Sequence, residues 1–264
     1  IAVKGRRAIF AKKQKIDLSY FLDMLITHRL RARSPRLIKK RGTKFAVFAN
    51  DEVGLSVNLH GVYEADELDF LFEFLRPFRE EFLSGSVIDI GANIGNHAIY
   101  FSKIFQKVEA FEPNPETFEL LEFNSRRVKN VQCHQMALGD RLEYLSVVED
   151  PANIGGARLQ SLDAVAGNVE VRTLDSFAMN WQKPCFMKLD VEGFESKVLI
   201  GAVELLKIAQ PFVVLEQHEN DFSRGSTPAI EILRANGYVF CWQEIGVDGR
   251  RGLMRKATNL FEFM

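Results

Sequence analysis

Apolar positions follow two rhythms along the chain. Ile16, Leu18, Phe21, Leu22, Leu25 and Ile26 recur at helical spacing, which predicts a helix near 16–30 that Ser34-Pro35 breaks. Lys44–Asn50 and Val53–Leu59 read as two short strands around Asp51-Glu52. Ala65–Leu75 is a strongly apolar helical stretch closed by Pro77, and its Phe70, Phe72 and Phe74 are expected in the core. From residue 86 the rhythm changes, and short apolar runs alternate with helical segments. Strands are predicted at Val87–Ile90, Val108–Phe111, Val131–Leu138, Val169–Arg172, Phe186–Leu189, Phe212–Glu216, 238–243 and near 258–263, with an added strand at Leu142–Val148. Helices are predicted at 95–105, 116–128, Glu195–Ile208 and 227–235, and the Gly-, Asn- and Ala-rich stretch 150–168 reads as a long loop. This alternation implies an α/β protein with a mostly parallel sheet covered on both faces. Right-handed crossovers make that sheet doubly wound. The expected organisation is a helical and short-strand extension over 1–85 followed by the doubly wound domain over 86–264.

Composition narrows the class. The 264 residues are 47% hydrophobic and 26% charged, an ordinary globular balance that excludes a disordered, collagen-like or coiled-coil chain. No apolar run approaches the ~18 residues of a membrane span, and no leader pattern opens the chain. Cys133, Cys185 and Cys241 are widely spaced, which argues against a disulfide framework or a zinc site, so a cytoplasmic protein is expected. Charge is unevenly distributed. Residues 1–44 hold 14 Lys and Arg against Asp17 and Asp23, whereas the remainder holds 20 against 33 acids. A basic arm on an acidic body suggests an anionic partner, a contact with the body, or a solvated extension.

Three segments carry candidate chemistry. In Val87–Asn96 a buried strand runs into a glycine turn and then a helix, the arrangement that presents a nucleotide site at a strand's carboxyl end. The dinucleotide fingerprint would need glycine at Asn93 and Asn96, which disfavours NAD. Asp89, Gly91, Asn93 and Gly95 instead supply acid-x-Gly-x-(Gly/Asn)-x-Gly, the pattern of loops that hold S-adenosylmethionine. In the second segment, Val108 to Pro115, Glu112 ends a strand 21 residues after Gly91, where a carboxylate can accept both hydroxyls of a ribose. Asn114 and Pro115 there also suit a helix start. The third segment, Phe186 to Glu195, delivers Lys188 and Asp190 to one face of a strand, with Glu192 in the turn that follows. Charges gathered at a strand end are costly unless paired or functional.

Taken with Ala137-Leu-Gly-Asp140, Thr173-Leu-Asp-Ser-Phe177 and Asn153-Ile-Gly-Gly156, these segments resemble the FkbM methyltransferase family in order and spacing. Lys188-Leu-Asp-Val-Glu-Gly-Phe-Glu195 is the most specific mark. The resemblance spans roughly 86–264, and the first 85 residues carry none of it. It implies a Rossmann-like methyltransferase sheet of seven strands, S-adenosylmethionine as cofactor, and methylation of a hydroxyl on a sugar, glycan or small natural product. It also implies a cofactor site of Asp89, Ile90, Gly91, Ala92, Asn93, Gly95, Asn96, Glu112, Pro113, Met136 and Ala137. His97, just after the glycine loop, departs from the family pattern.

A hydroxyl acceptor needs a base. Asp190, Glu192 and His218 are the candidates, with Lys188 beside them. His218 follows the strand Phe212–Glu216, and its ordinary pKa of ~6.5 suits a base at neutral pH. Asp190, Glu192, Glu216 and His218 could instead gather magnesium or manganese, but no compact ligand motif is present and the metal-free reading is preferred. Two other readings give the basic arm the main role. In one it grips nucleic-acid phosphates, although the chain lacks the Pro-Pro segment typical of amino-group methylation of bases. In the other the chain is a non-catalytic module docking on an assembly or an anionic membrane. The arm is expected to cap the cofactor cleft, and a homodimer could share it.

Overall fold

The computed structural model describes residues 18–49, 51–150, 153–160, 167–177, 183–218, 221–223, 225–245 and 249–256. Its centre is a seven-stranded sheet built from β1 (Ser86–Ile90), β2 (Lys107–Phe111), β3 (Val131–His134), β8 (Pro184–Leu189), β9 (Phe212–His218), β10 (Tyr238–Ile245) and β11 (Gly249–Lys256). The strand order is β10-β11-β9-β8-β1-β2-β3. Five neighbouring strands, β9-β8-β1-β2-β3, pair in parallel, while β11 pairs antiparallel with both β9 and β10. This is the expected α/β, Rossmann-like, mostly parallel architecture. A smaller sheet, β4-β7-β5-β6, comprises β4 (Ala137–Leu138), β5 (Glu143–Asp150), β6 (Asn153–Gln160) and β7 (Val169–Arg172).

The central strands are buried on both faces, as parallel strands under helices must be. On one face Ile88, Ile90, Met187, Leu189, Val213 and Leu215 meet α7 (Glu195–Ile200), α8 (Val203–Ile208) and α9 (Pro228–Ala235). On the other, Val87, Val108, Ala110, Phe186 and Phe212 meet α3 (Ala65–Phe74), α4 (Arg79–Ser84) and α5 (Asn96–Phe101). The helices just before the sheet therefore belong to its core: Leu68, Leu71, Leu75 and Phe82 pack with Phe101 and Phe186. Phe72 joins that cluster, ring against ring with Phe82, Phe101, Phe105 and Phe186. Phe70, expected in the core, is exposed, because the inward stripe of α3 runs through Leu68, Leu71 and Phe72.

The structure departs from the sequence pattern in several places. Val53–Leu59 is not a strand but lies in α2 (Glu52–His60), because Asp51 Oδ2 accepts from the Gly54 amide at 3.0 Å and caps the helix. Residues 44–49 form no strand, and Asn50 lies outside the described residues. The Asn124 side chain satisfies Ala46 instead, accepting from its amide and donating to its carbonyl. The first helix does not stop at Pro35. It spans Leu18–Arg41 as α1, and the Arg41 guanidinium anchors its end by donating to Gly61 O and Val57 O of α2 and its cap. Val131–Leu138 divides into β3 and β4, which enter different sheets, and part of the expected loop 150–168 is β6, paired with β5.

Glu195–Ile208 breaks at Gly201, where a Cβ would stand 2.0 Å from Gly139 O. Asp175 then caps the second half, its two carboxylate oxygens accepting from Glu204 N and Leu205 N at 2.9 Å each. The last strand lies at Gly249–Lys256, and the stretch 258–263 falls outside the described residues. Because α2 replaces a strand through one buried cap, Asp51→Ala should lower stability by about 1 kcal/mol in urea unfolding, and Asp51→Asn should restore most of it.

Candidate functional site

The ends of β1, β2 and β8 shape the main cleft. β1 stops at Ile90, and Gly91 turns the chain with φ +79°. Gly91 N and Ala92 N donate to Phe111 O at the end of β2, and Asp190 N donates to Ile90 O at 3.1 Å. A Cβ on Gly91 would stand 1.8 Å from Asp190 O, so only glycine lets these two turns pass. Asn93 sits at φ +50°, a conformation asparagine tolerates, with its Oδ1 accepting from Ile94 N. Gly95, at φ +89°, opens α5 against Leu121 of α6 (Pro115–Ser125).

Glu112 lies directly across from this turn. Its Oε2 accepts from Asn93 N at 2.9 Å and its Oε1 from Asn114 N at 2.8 Å. Burial pushes its carboxyl up to about 7, against those two backbone donors. Each oxygen keeps a second lone pair for a further donor. Asn114 meanwhile caps α6, accepting from Glu116 N, so its helix-start role coexists with the Glu112 contact.

The cleft opens between these turns and the strand ends that carry them. Of the residues expected at the site, Ile90, Gly91, Asn93, Glu112, Pro113, Met136, Ala137, Asp190 and Glu192 line it. Phe111, Leu138 and Phe194, inside the motif segments but not singled out as site residues, complete its apolar wall with Val147 and Val191, and Thr117 adds a hydroxyl. Glu192 occupies the left-handed region at φ +49°, followed by Gly193 at +92°. Glu195 Oε1 holds that turn, accepting from Gly193 N and Val191 N.

The family model described as the methyltransferase FkbM domain matches residues 89–240. The chain belongs to the FkbM methyltransferase family. A curated relative from Haloferax volcanii, named hexuronic acid methyltransferase AglP, is 31% identical over 194 residues, which cover 70% of this chain and 75% of the relative. Among solved structures, the chain is similar to an FkbM methyltransferase from Methylobacillus flagellatus KT, with 17% identity and a TM-score of 0.45. That match covers 84% of this chain but spans 59% of the other. It is also similar to magnesium protoporphyrin IX methyltransferase from Synechocystis PCC 6803, a structure with bound SAM, at 10% identity and TM-score 0.47, covering 89% and 96% of the two chains.

The other expected residues occupy a second layer. Asn96 turns away from the cleft, its side-chain amide accepting from Tyr63 N and donating to Tyr63 O. Ala92 is buried in the core between sheet and helices. Asp89 is wholly buried, and neither of its carboxylate oxygens has a hydrogen-bond partner among the described residues. Burial raises its pKa, with Lys188 and His97 opposing. Lys188 is its register neighbour across β1 and β8, and Lys188 Nζ reaches Asp190 Oδ2 at 3.0 Å. Burial works against the Lys188 ammonium, but Asp190, Asp89 and Glu216 outweigh it and hold the pKa above the usual lysine range. His218 ends β9, and its side chain lies outside what the structure describes.

A second cavity adjoins Lys188, between α3 and the sheet. Glu64, Glu67, His97 and Glu216 supply its polar rim. His97 Nε2 lies 3.2 Å from Glu64 Oε2, and its ring stacks on Phe101. Glu64 is held left-handed at φ +56° just before α3. The position of His97 one residue past the glycine loop was the only sequence signal for this pair, and nothing local pointed to Glu64. The two glycines of the cleft turns make contrasting tests. Gly91→Ala should cost about 2 kcal/mol or more through backbone collision, whereas Gly193→Ala, with open space around it, should cost only the ~1 kcal/mol of its conformation. Chemical denaturation of both variants measures the difference.

Proposed function

We propose that this chain is an S-adenosylmethionine-dependent O-methyltransferase whose acceptor is a hydroxyl of a sugar, glycan or small natural product. The observation that carries the reading is Glu112. Its carboxylate is fixed by two backbone amides at the cleft wall opposite the glycine turn, with lone pairs left for the vicinal hydroxyls of a ribose. Its raised pKa marks a carboxylate short of donors, which such a diol would supply. The residues thus suit the cofactor: Glu112 would hold the ribose, Asn93 and Pro113 would flank it, and Met136 and Ala137 would face its base. The relationship to a protein named for hexuronic acid methylation favours a carbohydrate acceptor.

When bound, the cofactor supplies a methyl group already activated on a sulfonium. The protein's task is to align the acceptor and take its proton. Alignment contributes up to ~7–11 kcal/mol in favourable cases, and a positioned base ~10²–10⁴-fold. Asp190 faces the cleft from the end of β8 and is held by Lys188, so it stands where an acceptor hydroxyl would approach the methyl group. In this reading Asp190 orients the hydroxyl or accepts its proton, Lys188 fixes the Asp190 rotamer, and Glu192 borders the same opening. His218, at the end of the neighbouring strand, is the alternative base. Asp190→Asn and His218→Ala should each lower kcat about 10²-fold in a methyl-transfer assay while S-adenosylhomocysteine affinity stays near the parent's. Near-normal rates in both would remove the assigned base.

Glu112 makes the cofactor affinity pH-dependent. Its pKa in the free folded protein lies above the ordinary 4.5, near 7, so the folded form binds more protons than the unfolded chain between those values. Stability from this group therefore falls as pH rises across that window and levels off above it. A ribose diol donates best to the ionised carboxylate, so S-adenosylhomocysteine should bind more tightly as pH rises from about 6 to 8. Calorimetric titration should show this trend, and Glu112→Gln should bind weakly with a flat profile. A folded protein that binds no S-adenosylhomocysteine at any pH, with or without hydroxylated acceptors such as hexuronic acids, would overturn the reading.

A further inference from the structure

The first half of α1 is the most anomalous surface among the described residues. Leu18, Phe21, Leu22, Met24, Leu25 and Ile26 are 45–73% exposed, and the polar groups interrupting them are Ser19, Asp23 and the Tyr20 hydroxyl. Every residue from 18 to 29 is exposed. The helix is tied to the body further along. Leu37 packs on Gly61, Arg41 clamps Gly61 O and Val57 O, and Lys40 O accepts from Lys103. Monomeric proteins rarely leave so continuous an apolar surface without a partner.

The charge beside it says what that partner is. Arg29, Arg31, Arg33, Arg36, Lys39, Lys40 and Arg41 follow within the same helix, and Asp23 is its only acid. Parallel pairing of two copies through α1 would bring these like charges together, and antiparallel pairing over residues 18–26 would leave both basic halves without a counter-charge in the pair. A nucleic acid would satisfy the cations and leave Phe21, Leu22, Leu25 and Ile26 in water. An anionic lipid surface satisfies both halves, with headgroups meeting the arginines and lysines and the acyl boundary taking the apolar residues. The apolar segment, nine residues and about 13.5 Å long at 1.5 Å per residue, is far too short to cross the ~30 Å hydrocarbon core. No helix among the described residues is long and apolar enough to cross a membrane. We propose that α1 is an interfacial anchor that seats this protein on an anionic lipid surface, apolar first half inserted and basic second half at the headgroups. This does not depend on the identity of the methyl acceptor.

The test is co-sedimentation of the full chain with vesicles of phosphatidylcholine alone and of phosphatidylcholine mixed with phosphatidylglycerol. The bound fraction should be about tenfold or more higher on the anionic vesicles and should drop as salt is raised. Leu22→Ser/Leu25→Ser/Ile26→Ser and Arg29→Glu/Arg36→Glu should each lose that binding at an unchanged melting temperature, because these side chains are exposed. Equal pelleting with both vesicle types, or undiminished binding of the serine variant, would overturn the proposal. So would a dimer in light scattering that the serine substitutions dissolve without any vesicle binding, or tight binding of duplex RNA by the serine variant in place of lipid binding. Methyl transfer to a soluble acceptor, measured on the same variants, should be unchanged, which separates failure of this anchor from failure of the enzymatic reading.

Discussion

Gly91 and Asp190 pass with their backbones nearly touching, and the site depends on that crossing. β1 and β8 are register neighbours up to Ile90 and Leu189, so the turns that follow them leave the sheet side by side. Asp190 N donating to Ile90 O extends the pairing one step beyond the strands. The space between Gly91 and Asp190 O has no room for a Cβ. Any residue but glycine would push the Gly91 turn away from the turn that carries Asp190 and Glu192. The two halves of the cleft would then lose their common edge.

Around that crossing the protein buries an unusual number of charges. Asp89, Lys188 and Asp190 stand together at the ends of two adjacent strands, with Glu216 within electrostatic reach. One ammonium among several carboxylates is tolerable because Lys188 compensates more than one acid, and loss of it would leave carboxylates desolvated without a counter-charge. Glu112 and Glu195 are handled differently. Backbone amides of the turns themselves, at Asn93, Asn114, Val191 and Gly193, hold their oxygens. Turn geometry and carboxylate position are therefore one arrangement, since each carboxylate fixes the turn that holds it.

The segment ahead of the sheet has two characters. Residues 62–82 supply Val62, Leu68, Leu71, Leu75 and Phe82 to the same core as the strands, and Glu64 and Tyr63 reach His97 and Asn96 at the start of α5. This part roofs the second cavity beside Lys188. α1, in contrast, shares little with the body except at its basic end. The uneven charge of the chain maps onto this division, with a cationic helix standing off an acidic catalytic body.

The alternation of short apolar strands with helices was legible from residue 86 onward, because strands covered on both faces must be continuously apolar. The glycine turn, Glu112 at the end of β2 and the Lys188–Glu195 segment were legible for a related reason. Each is a local constraint of backbone conformation or of charge at a strand end, and it shows in consecutive residues. What the chain alone misplaced depended on distant partners. Asn124, far along the sequence, satisfies the backbone N–H and C=O of Ala46 and leaves residues 44–49 outside any sheet, while the cap at Asp51 turns an apparent strand into α2. Asn153–Gln160 became a strand because β5 offered it an edge. Gly201 broke a helix because Gly139 O lies where its Cβ would be. The sequence by itself determined the sheet's rhythm and the glycines and charged residues that stand at its carboxyl ends. Only the tertiary structure decided which polar groups met across the chain, such as Asn96 with Tyr63 and His97 with Glu64, because those contacts follow from packing and carry no periodicity that consecutive residues could show.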